Sequence, residues 1–77
     1  MKTVVITGSA RGLGLEMAKL FKEYNYNVVL SDVNKDNLDS AKEMVDNIGS
    51  MSFVESFICD VTKSKDIKDL IDFTIKK

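Results

Sequence analysis

The sequence contains no histidine, no proline and no tryptophan, and it has a single cysteine, Cys59. Without histidine and with only one thiol, the usual ligands of a zinc site are missing, so we expect no metal centre. One cysteine cannot form an internal disulfide, which is consistent with a reducing compartment. We expect Cys59 to fill the end of a strand as a small apolar residue rather than to act as a nucleophile.

The sequence also lacks an excess of one charge and any long apolar run. Lysine and arginine total 11 against 12 acidic residues, and the net charge is −1. This balance provides no field to attract nucleic acid or an anionic membrane. The longest apolar run is three residues, far below the roughly 20 that a membrane-spanning helix needs. Because Met1 almost directly precedes the first predicted strand, there is no room for a signal peptide, and we expect a cytoplasmic protein.

The length of 77 residues allows one small domain at most. A chain of this size buries only about 60% of its unfolded surface, so its stability is marginal. No linker or low-complexity tract divides residues 1–77, and we therefore expect them to form one unit.

Residues 2–14 read KTVVITGSARGLG, a run of β-formers followed by a turn with three glycines and then a helical pattern. In this arrangement the helix N-terminus lies at the carboxyl end of the strand. Its unpaired N–H groups and the positive end of its dipole then face the turn. Gly8 lets the chain leave the strand, Gly12 lets a phosphate approach the backbone, and Gly14 lets helix and strand pack closely. The segment predicts an anion site; a glycine-rich loop without a ligand is the alternative.

Apolar residues recur at helical spacing after this turn and again in two later segments. The first stripe predicted to be buried consists of Leu13, Met17, Leu20, Phe21 and Tyr24. The second consists of Leu38, Ala41, Val45 and Ile48, and the third of Ile67, Leu70, Ile71 and Ile75. We expect Asn34 to cap the second helix and Thr62 or Ser64 to cap the third.

Short β-rich runs separate these helices, at residues 4–6, 28–30 and 51–59. Alternating strands and helices with right-handed crossovers predict an α/β fold with a three-stranded parallel sheet of order 3-2-1 and three helices. Asp32 follows the second run and Asp60 follows the third, so both acids are expected at the same edge of the sheet as the glycine turn. The alternatives are that Asp32 is a turn acid between the second strand and the second helix, and that Asp60 stabilises the N-terminus of the third helix.

Three features together resemble the short-chain dehydrogenase/reductases: the T-G-x-x-x-G-x-G segment from Thr7 to Gly14, Asp32, and the Asp60-Val61 pair. The resemblance covers the whole chain and implies the N-terminal half of a Rossmann fold that binds a dinucleotide. It implies that Asp32 accepts from the adenosine ribose, while Asp60 and Val61 lie beside the adenine. The residues implied in cofactor binding are Gly8, Ser9, Arg11, Gly12, Leu13, Gly14, Asp32, Val33, Asp60 and Val61.

The resemblance gives two indications about the cofactor. A basic residue at the position of Arg11 often accompanies NADP in the family, whereas Asp32 would lie close to a 2′-phosphate. Two like charges at 4 Å repel by about 1 to 4 kcal/mol. Position 33 is valine, so no second basic residue follows Asp32, and we expect NAD rather than NADP.

The catalytic part of the family pattern is absent from this chain. The family uses a serine and a Tyr-x-x-x-Lys pair, whereas Tyr24 is followed four residues later by Val28, and Tyr26 by Leu30. The 77 residues alone are therefore expected to be catalytically inactive. The alternatives are a non-enzymatic, self-associating module that binds nucleotide weakly or not at all, and a methyltransferase-like or flavin-binding Rossmann domain.

The resemblance also bears on association. In the complete family fold the first strand lies inside the sheet, so here it would form an uncharged edge at Val4, Val5 and Ile6. Unprotected edges of this kind recruit other strands. We therefore expect a homodimer, formed by pairing of the first strand with its copy or by exchange of elements.

Overall fold

The computed structural model describes residues 2–76, in which strands and helices alternate strictly along the chain. The strands are β1 (Thr3–Thr7), β2 (Asn27–Asp32) and β3 (Val54–Ile58), and the helices are α1 (Gly12–Glu23), α2 (Lys35–Asp46) and α3 (Ser64–Ile75). The strands form one parallel sheet of order β1-β2-β3. The predicted α/β class and the predicted order are both confirmed.

The central strand β2 is buried on both sides. Val28, Val29 and Leu30 are fully buried, as expected for a parallel strand that helices cover on both faces. In the register Val5 lies beside Val29, and Val29 lies beside Glu55. The carboxyl ends of all three strands therefore lie along the same edge of the sheet.

Two separate apolar clusters fill the two faces. The cluster under α1 and α2 consists of Ile6, Ala10, Leu15, Ala18, Val28, Leu30, Leu38, Ala41, Val45 and Val54. The cluster under α3 is much smaller and consists of Val29, Cys59 and Leu70, with Phe57 and Phe73 packed against it. The two phenylalanine rings contact each other in a tilted arrangement, with their centroids 4.9 Å apart and their planes at 41°. Cys59 is buried and fills a strand end, as predicted.

The predicted stripe of α2 is correct at Leu38, Ala41 and Val45, which are all buried. Its fourth member, Ile48, lies beyond the end of the helix and is half-buried. The predicted stripe of α1 is wrong in most positions. The side chains of α1 that are buried are Leu15, Ala18 and Lys22. The exposed ones include Leu13 at 77%, Met17 at 42%, Leu20 at 52% and Tyr24 at 70%. The helix packs on the core cluster through Leu15 and Ala18, with Phe21 beside them. The four exposed residues of the predicted stripe therefore lie outside this contact.

The predicted stripe of α3 is correct only at Leu70, the one buried residue of that helix. Ile71 and Ile75 are 52% and 76% exposed, whereas Phe73, which was not predicted, packs on the sheet. Apolar residues of α1 and α3 therefore cover more of the helix circumference than the sheet occupies.

The helix starts differ as well. The Asn34 side chain accepts from the Asn37 N–H at 2.9 Å, which confirms the predicted cap of α2. The predicted cap of α3 is wrong, because its N-cap residue is Lys63 and no side chain caps the helix there. The Thr62 hydroxyl instead donates to Asp60 at 2.7 Å. None of the helices within residues 2–76 is long and apolar enough to cross a membrane.

Candidate functional site

The turn after β1 depends on two left-handed glycines. Gly8 has φ +61° and Gly12 has φ +63°, a region that residues with a Cβ rarely adopt. A Cβ added at either position would meet no atom within 4 Å. The backbone conformation requires glycine here, and the space beside both residues is open to a ligand.

Gly14 is constrained by packing rather than by its dihedral angles. A Cβ at this position would lie 2.5 Å from the Gly8 carbonyl oxygen and 3.0 Å from the Ser9 Cα. The first turn of α1 therefore rests directly on the turn after β1. This close approach is the role that the sequence predicted for the third glycine.

The N-terminus of α1 has features suited to an anion. Its N-cap, Arg11, is extended and offers no side-chain cap, and the first helical turn has no acidic residue. The Leu15 N–H donates to the Arg11 carbonyl at 3.4 Å, so the N–H groups of residues 12–14 precede the regular helical bonds. Such groups and the positive end of the dipole attract negative charge. Within residues 2–76 no pocket encloses this turn, so an anion would bind at an open surface.

Ser9 faces the protein interior. Its hydroxyl accepts from the Ser31 N–H at 2.9 Å and donates to the Ser31 carbonyl at 3.3 Å. The Ser9 N–H donates to the same carbonyl at 3.0 Å. Because these groups are all used internally, Ser9 holds the turn on the end of β2. Its side chain is not presented to a ligand.

Asp32 ends β2 and contacts the glycine turn. One carboxylate oxygen accepts from the Ala10 N–H at 3.1 Å, and the other accepts from the Val33 N–H at 2.7 Å. A carboxylate oxygen has room for more than one donor, so each can accept a further hydrogen bond. Asp32 therefore bonds to the backbone of the turn and of its own strand end, and it retains the capacity to accept from hydroxyl groups.

Asp60 follows β3 and shapes the entry to α3 from outside the helix. One of its oxygens accepts from the Thr62 hydroxyl at 2.7 Å and from the Thr62 N–H at 2.9 Å. These two hydrogen bonds, the hydroxyl one first, hold the pKa of the Asp60 carboxyl below its ordinary value. The first turn of α3 contains Asp66, which accepts from the Asp60 N–H at 3.0 Å.

The predicted residues lie along the carboxyl edge of the sheet, where ligands bind in folds of this architecture. The turn and Asp32 are in direct contact, and the Asp32 carbonyl accepts from the Cys59 N–H at 3.0 Å. The Asp60 side chain instead bonds to its own loop. Three apolar side chains assigned to the site are exposed, namely Leu13, Val33 and Val61.

Two features of this edge were not predicted. The hydrogen bonds between Ser9 and Ser31 join residues 22 positions apart, and no local pattern indicates such a pair. The bond from the Ala10 N–H to Asp32 is equally distant in sequence. Neither tyrosine belongs to the site: Tyr24 ends α1 at the opposite edge of the sheet, and Tyr26 packs on Phe21 with ring centroids 4.9 Å apart.

Comparison with known proteins gives a consistent result for both sequence and fold. A family model described as short chain dehydrogenase matches residues 2–77. The short chain dehydrogenase helC of Aspergillus fumigatus is 33% identical over 76 residues, which are 99% of this chain and 30% of that protein. The chain thus spans less than a third of that relative's length.

Two solved structures with a bound dinucleotide have the same fold over this chain. An NAD⁺-bound xylitol dehydrogenase superposes with a TM-score of 0.91 at 27% identity, covering 97% of this chain and 28% of the other. A short-chain dehydrogenase/reductase from Burkholderia phymatum in complex with NAD gives a TM-score of 0.90 at 25% identity, covering 97% and 26%. The Rossmann-like fold is therefore shared, and the family match over residues 2–77 favours a short-chain dehydrogenase over the methyltransferase-like and flavin-binding alternatives. The chain belongs to the short-chain dehydrogenase family.

Proposed function

We propose that this chain is the NAD(H)-binding N-terminal portion of a short-chain dehydrogenase/reductase. In the complete enzyme, hydride would pass between the nicotinamide and a carbonyl or alcohol substrate. The observation that carries the proposal is the contact between the Asp32 carboxylate and the Ala10 N–H at 3.1 Å. It places an acid with free acceptor capacity beside a glycine turn at a helix N-terminus.

Each residue has a distinct role in this proposal. The N–H groups of Gly12, Leu13 and Gly14 donate to the pyrophosphate, and Asp32 accepts from the adenosine ribose hydroxyls. The adenine lies between the exposed side chains of Val33 and Val61, with Asp60 at its exocyclic amine. Gly8 and Ser9 shape the turn. The exposed Arg11 lies at the helix start, where its charge attracts the phosphates.

The proposed cofactor is NAD rather than NADP. The NAD complexes of related structures support a nicotinamide dinucleotide in general. The preference for NAD rests on the Asp32 charge, which would repel a 2′-phosphate by about 1 to 4 kcal/mol at 4 Å. Val33 provides no compensating positive charge.

Titration calorimetry with both cofactors tests this preference. Wild-type protein is expected to bind NAD weakly and NADP more weakly still, because only the adenosine and pyrophosphate part of the site is present. Asp32→Asn removes the charge and keeps the shape, so it should narrow the difference. Asp36→Asn, which removes a nearby charge in the first turn of α2, should leave the difference unchanged. Equal or tighter NADP binding by the wild type would refute the assignment.

The 77 residues alone are proposed to have no dehydrogenase turnover. General acid catalysis on a carbonyl requires a positioned donor with a suitable pKa, and both tyrosines lie away from the carboxyl edge. Hydride transfer above background by purified, mass-verified protein, against a panel of alcohols and ketones, would contradict this. The low net charge and the single cysteine support the further proposal of a cytoplasmic location without nucleic-acid partners.

A second candidate function is self-association without catalysis, and the open edge of β1 favours it. The Asn27 N–H donates to the Lys2 carbonyl at 2.8 Å, and the Val28 N–H donates to the Phe53 carbonyl at 3.0 Å. Backbone groups alternate in direction along a parallel pair, so the groups of Val5 point to the open edge. We propose that β1 pairs antiparallel with its copy in a two-fold homodimer.

Sedimentation at several protein concentrations, combined with amide exchange, tests the dimer. If the edge pairs, the Val5 amide should exchange slowly in the dimer and should lose this protection on dilution. Lys2→Pro is not suitable for this test, because the Lys2 carbonyl also accepts from Asn27 of β2. Val5→Lys places a charge on the edge strand and should favour the monomer. A folded monomer at about 100 µM, a concentration at which a micromolar dimer would persist, with a rapidly exchanging Val5 amide, would refute the pairing.

A further inference from the structure

The Lys22 side chain is unusual because it is buried and has no acidic partner among the residues that the structure describes. Only 1% of the residue is exposed, and it is the largest fully buried side chain of the described chain. Within residues 2–76 no carboxylate lies within ion-pair distance of its ammonium group. A buried charge is strongly destabilising unless hydrogen bonds satisfy it.

Oxygen atoms of the loop between α2 and β3 supply those hydrogen bonds. The Lys22 Nζ donates to the Ser50 Oγ at 2.6 Å, to the Ser52 carbonyl at 2.7 Å and to the Ser50 carbonyl at 3.4 Å. An ammonium has three protons, so all three have an acceptor. The Ser50 and Ser52 hydroxyl groups are also hydrogen-bonded to each other, with their oxygen atoms 2.8 Å apart.

Two asparagines next to Lys22 in sequence bind the same loop. The Asn25 side chain accepts from the Met51 N–H at 3.3 Å, and the Asn27 side chain accepts from the Phe53 N–H at 3.1 Å. Two carbonyls and two N–H groups of residues 50–53 are thus bound by side chains from the end of α1, the turn after it and the start of β2. The loop has no regular secondary structure, so these contacts determine its conformation.

We propose that the loop of residues 50–52 is a cation-binding loop for a primary ammonium, and that Lys22 supplies this cation from within the chain. The positive charge draws two carbonyl dipoles and a hydroxyl toward one point. Without it, the buried Ser52 carbonyl and the partly buried Ser50 carbonyl would each lose the donor that Lys22 supplies. Occupation of the site fixes the loop that leads into β3, because the Phe53 carbonyl accepts from the Val28 N–H in the central strand.

Two variants separate the charge from the volume. Lys22→Met keeps most of the apolar length and removes the ammonium, whereas Lys22→Ala leaves a cavity next to the oxygen atoms. We expect the Met51, Phe53 and Val28 amides of Lys22→Met to exchange at least about tenfold faster than in the wild type, since buried acceptors lose their donors. The Ser9 amide, at the opposite edge of the sheet, should change less. Lys19→Met, from the partly exposed pair with Glu16, is the control and should leave all four amides unchanged.

Chemical rescue tests the nature of the ligand. Propylammonium replaces the atoms that Lys22→Ala removes, so it should restore slow exchange at Met51 and Phe53, and 1-propanol should not. If Lys22→Ala is unfolded, recovery of its circular dichroism with propylammonium but not with propanol supports the proposal equally. The proposal is overturned if Lys22→Met exchanges like the wild type, if propanol rescues as well as propylammonium, or if propylammonium rescues neither signal.

Discussion

The two faces of the sheet are covered to very different extents. Under α1 and α2, ten buried residues from five elements and the connecting turn form one continuous cluster. Under α3 the cluster has three buried residues, with two phenylalanines at its margin. On that face Val5 of β1 remains 38% exposed, although its neighbour Ile6 on the other face is buried.

This difference explains which sequence patterns predict burial in this chain. The stripe of α2 is correct within that helix, because the strands that α2 covers belong to residues 2–76. The stripes of α1 and α3 include residues for which no surface exists within residues 2–76, such as Leu20 and Ile71. An apolar stripe indicates that a helix is suited to contact an apolar surface, but it does not indicate whether that surface belongs to the described residues.

The largest expected effect on stability comes from two leucine-to-alanine variants, one on each face of the sheet. Leu38 of α2 is 1% exposed, and Leu70 of α3 is 3% exposed. Leucine-to-alanine changes in cores cost about 2–5 kcal/mol, and Leu38→Ala is expected near the upper end because its surroundings are densely packed. Leu70→Ala is expected near the lower end. Urea denaturation measures both; an equal or larger loss for Leu70→Ala would mean that the α3 face contributes more than its cluster indicates.

The contact between α1 and the turn provides a second test. Gly14→Ala brings a Cβ to 2.5 Å from the Gly8 carbonyl oxygen, so backbone must move, and overpacking of this kind costs about 1–3 kcal/mol. Gly49→Ala is the matched control, because its Cβ would meet nothing within 4 Å. We expect that variant to change the free energy of unfolding by less than about 0.5–1 kcal/mol. Thermal denaturation that finds the two variants equal would contradict the close packing.

The unequal caps of α2 and α3 allow a reciprocal exchange. Asn34 has φ −95° and ψ 112°, and Lys63 has φ −111° and ψ 117°, so the two positions have nearly the same backbone conformation. Lys63→Asn should therefore stabilise the protein by about 1 kcal/mol, and Asn34→Lys should destabilise it by a similar amount. Denaturation of both variants checks this prediction. If Lys63→Asn did not raise the free energy of unfolding, a missing N-cap would not be what limits the stability of α3.

The smallest expected effect concerns Asp60. Thr62→Val removes the hydroxyl bond that contributes most to lowering the Asp60 pKa, so this pKa should rise toward its ordinary value. A lowered pKa in the folded state stabilises the fold at pH above the unfolded value, and this contribution is lost as the pH falls through the folded value. The stability of the variant should therefore depend less on pH in the acid range. An NMR titration of the carboxyl measures the shift, and Thr74→Val, whose hydroxyl donates to the Leu70 carbonyl at 2.9 Å, is the control.

The sequence predicted the strand order, all six elements, the conformational role of Gly8 and the close packing at Gly14, because each depends on local patterns and short connections. It did not predict the contact of Asp32 with Ala10 or the burial of Lys22. Both join segments more than 20 residues apart, and their partners are a backbone N–H and backbone carbonyls, which every residue has. No pattern of residue types distinguishes such partners.

The central claim is that the turn after β1 and Asp32 form one dinucleotide site. An NMR titration of the 77-residue chain with NAD tests it most directly, at up to about 10 mM so that a Kd near 1 mM is detected. The account predicts saturable shifts of the amides of Ala10, Gly12, Leu13, Gly14 and Val33, which Gly14→Ala weakens and Gly49→Ala leaves unchanged. Amides at the opposite edge, such as those of Met51 and Phe53, should not shift. No saturable shift in the turn, or shifts confined to another surface, would contradict the account.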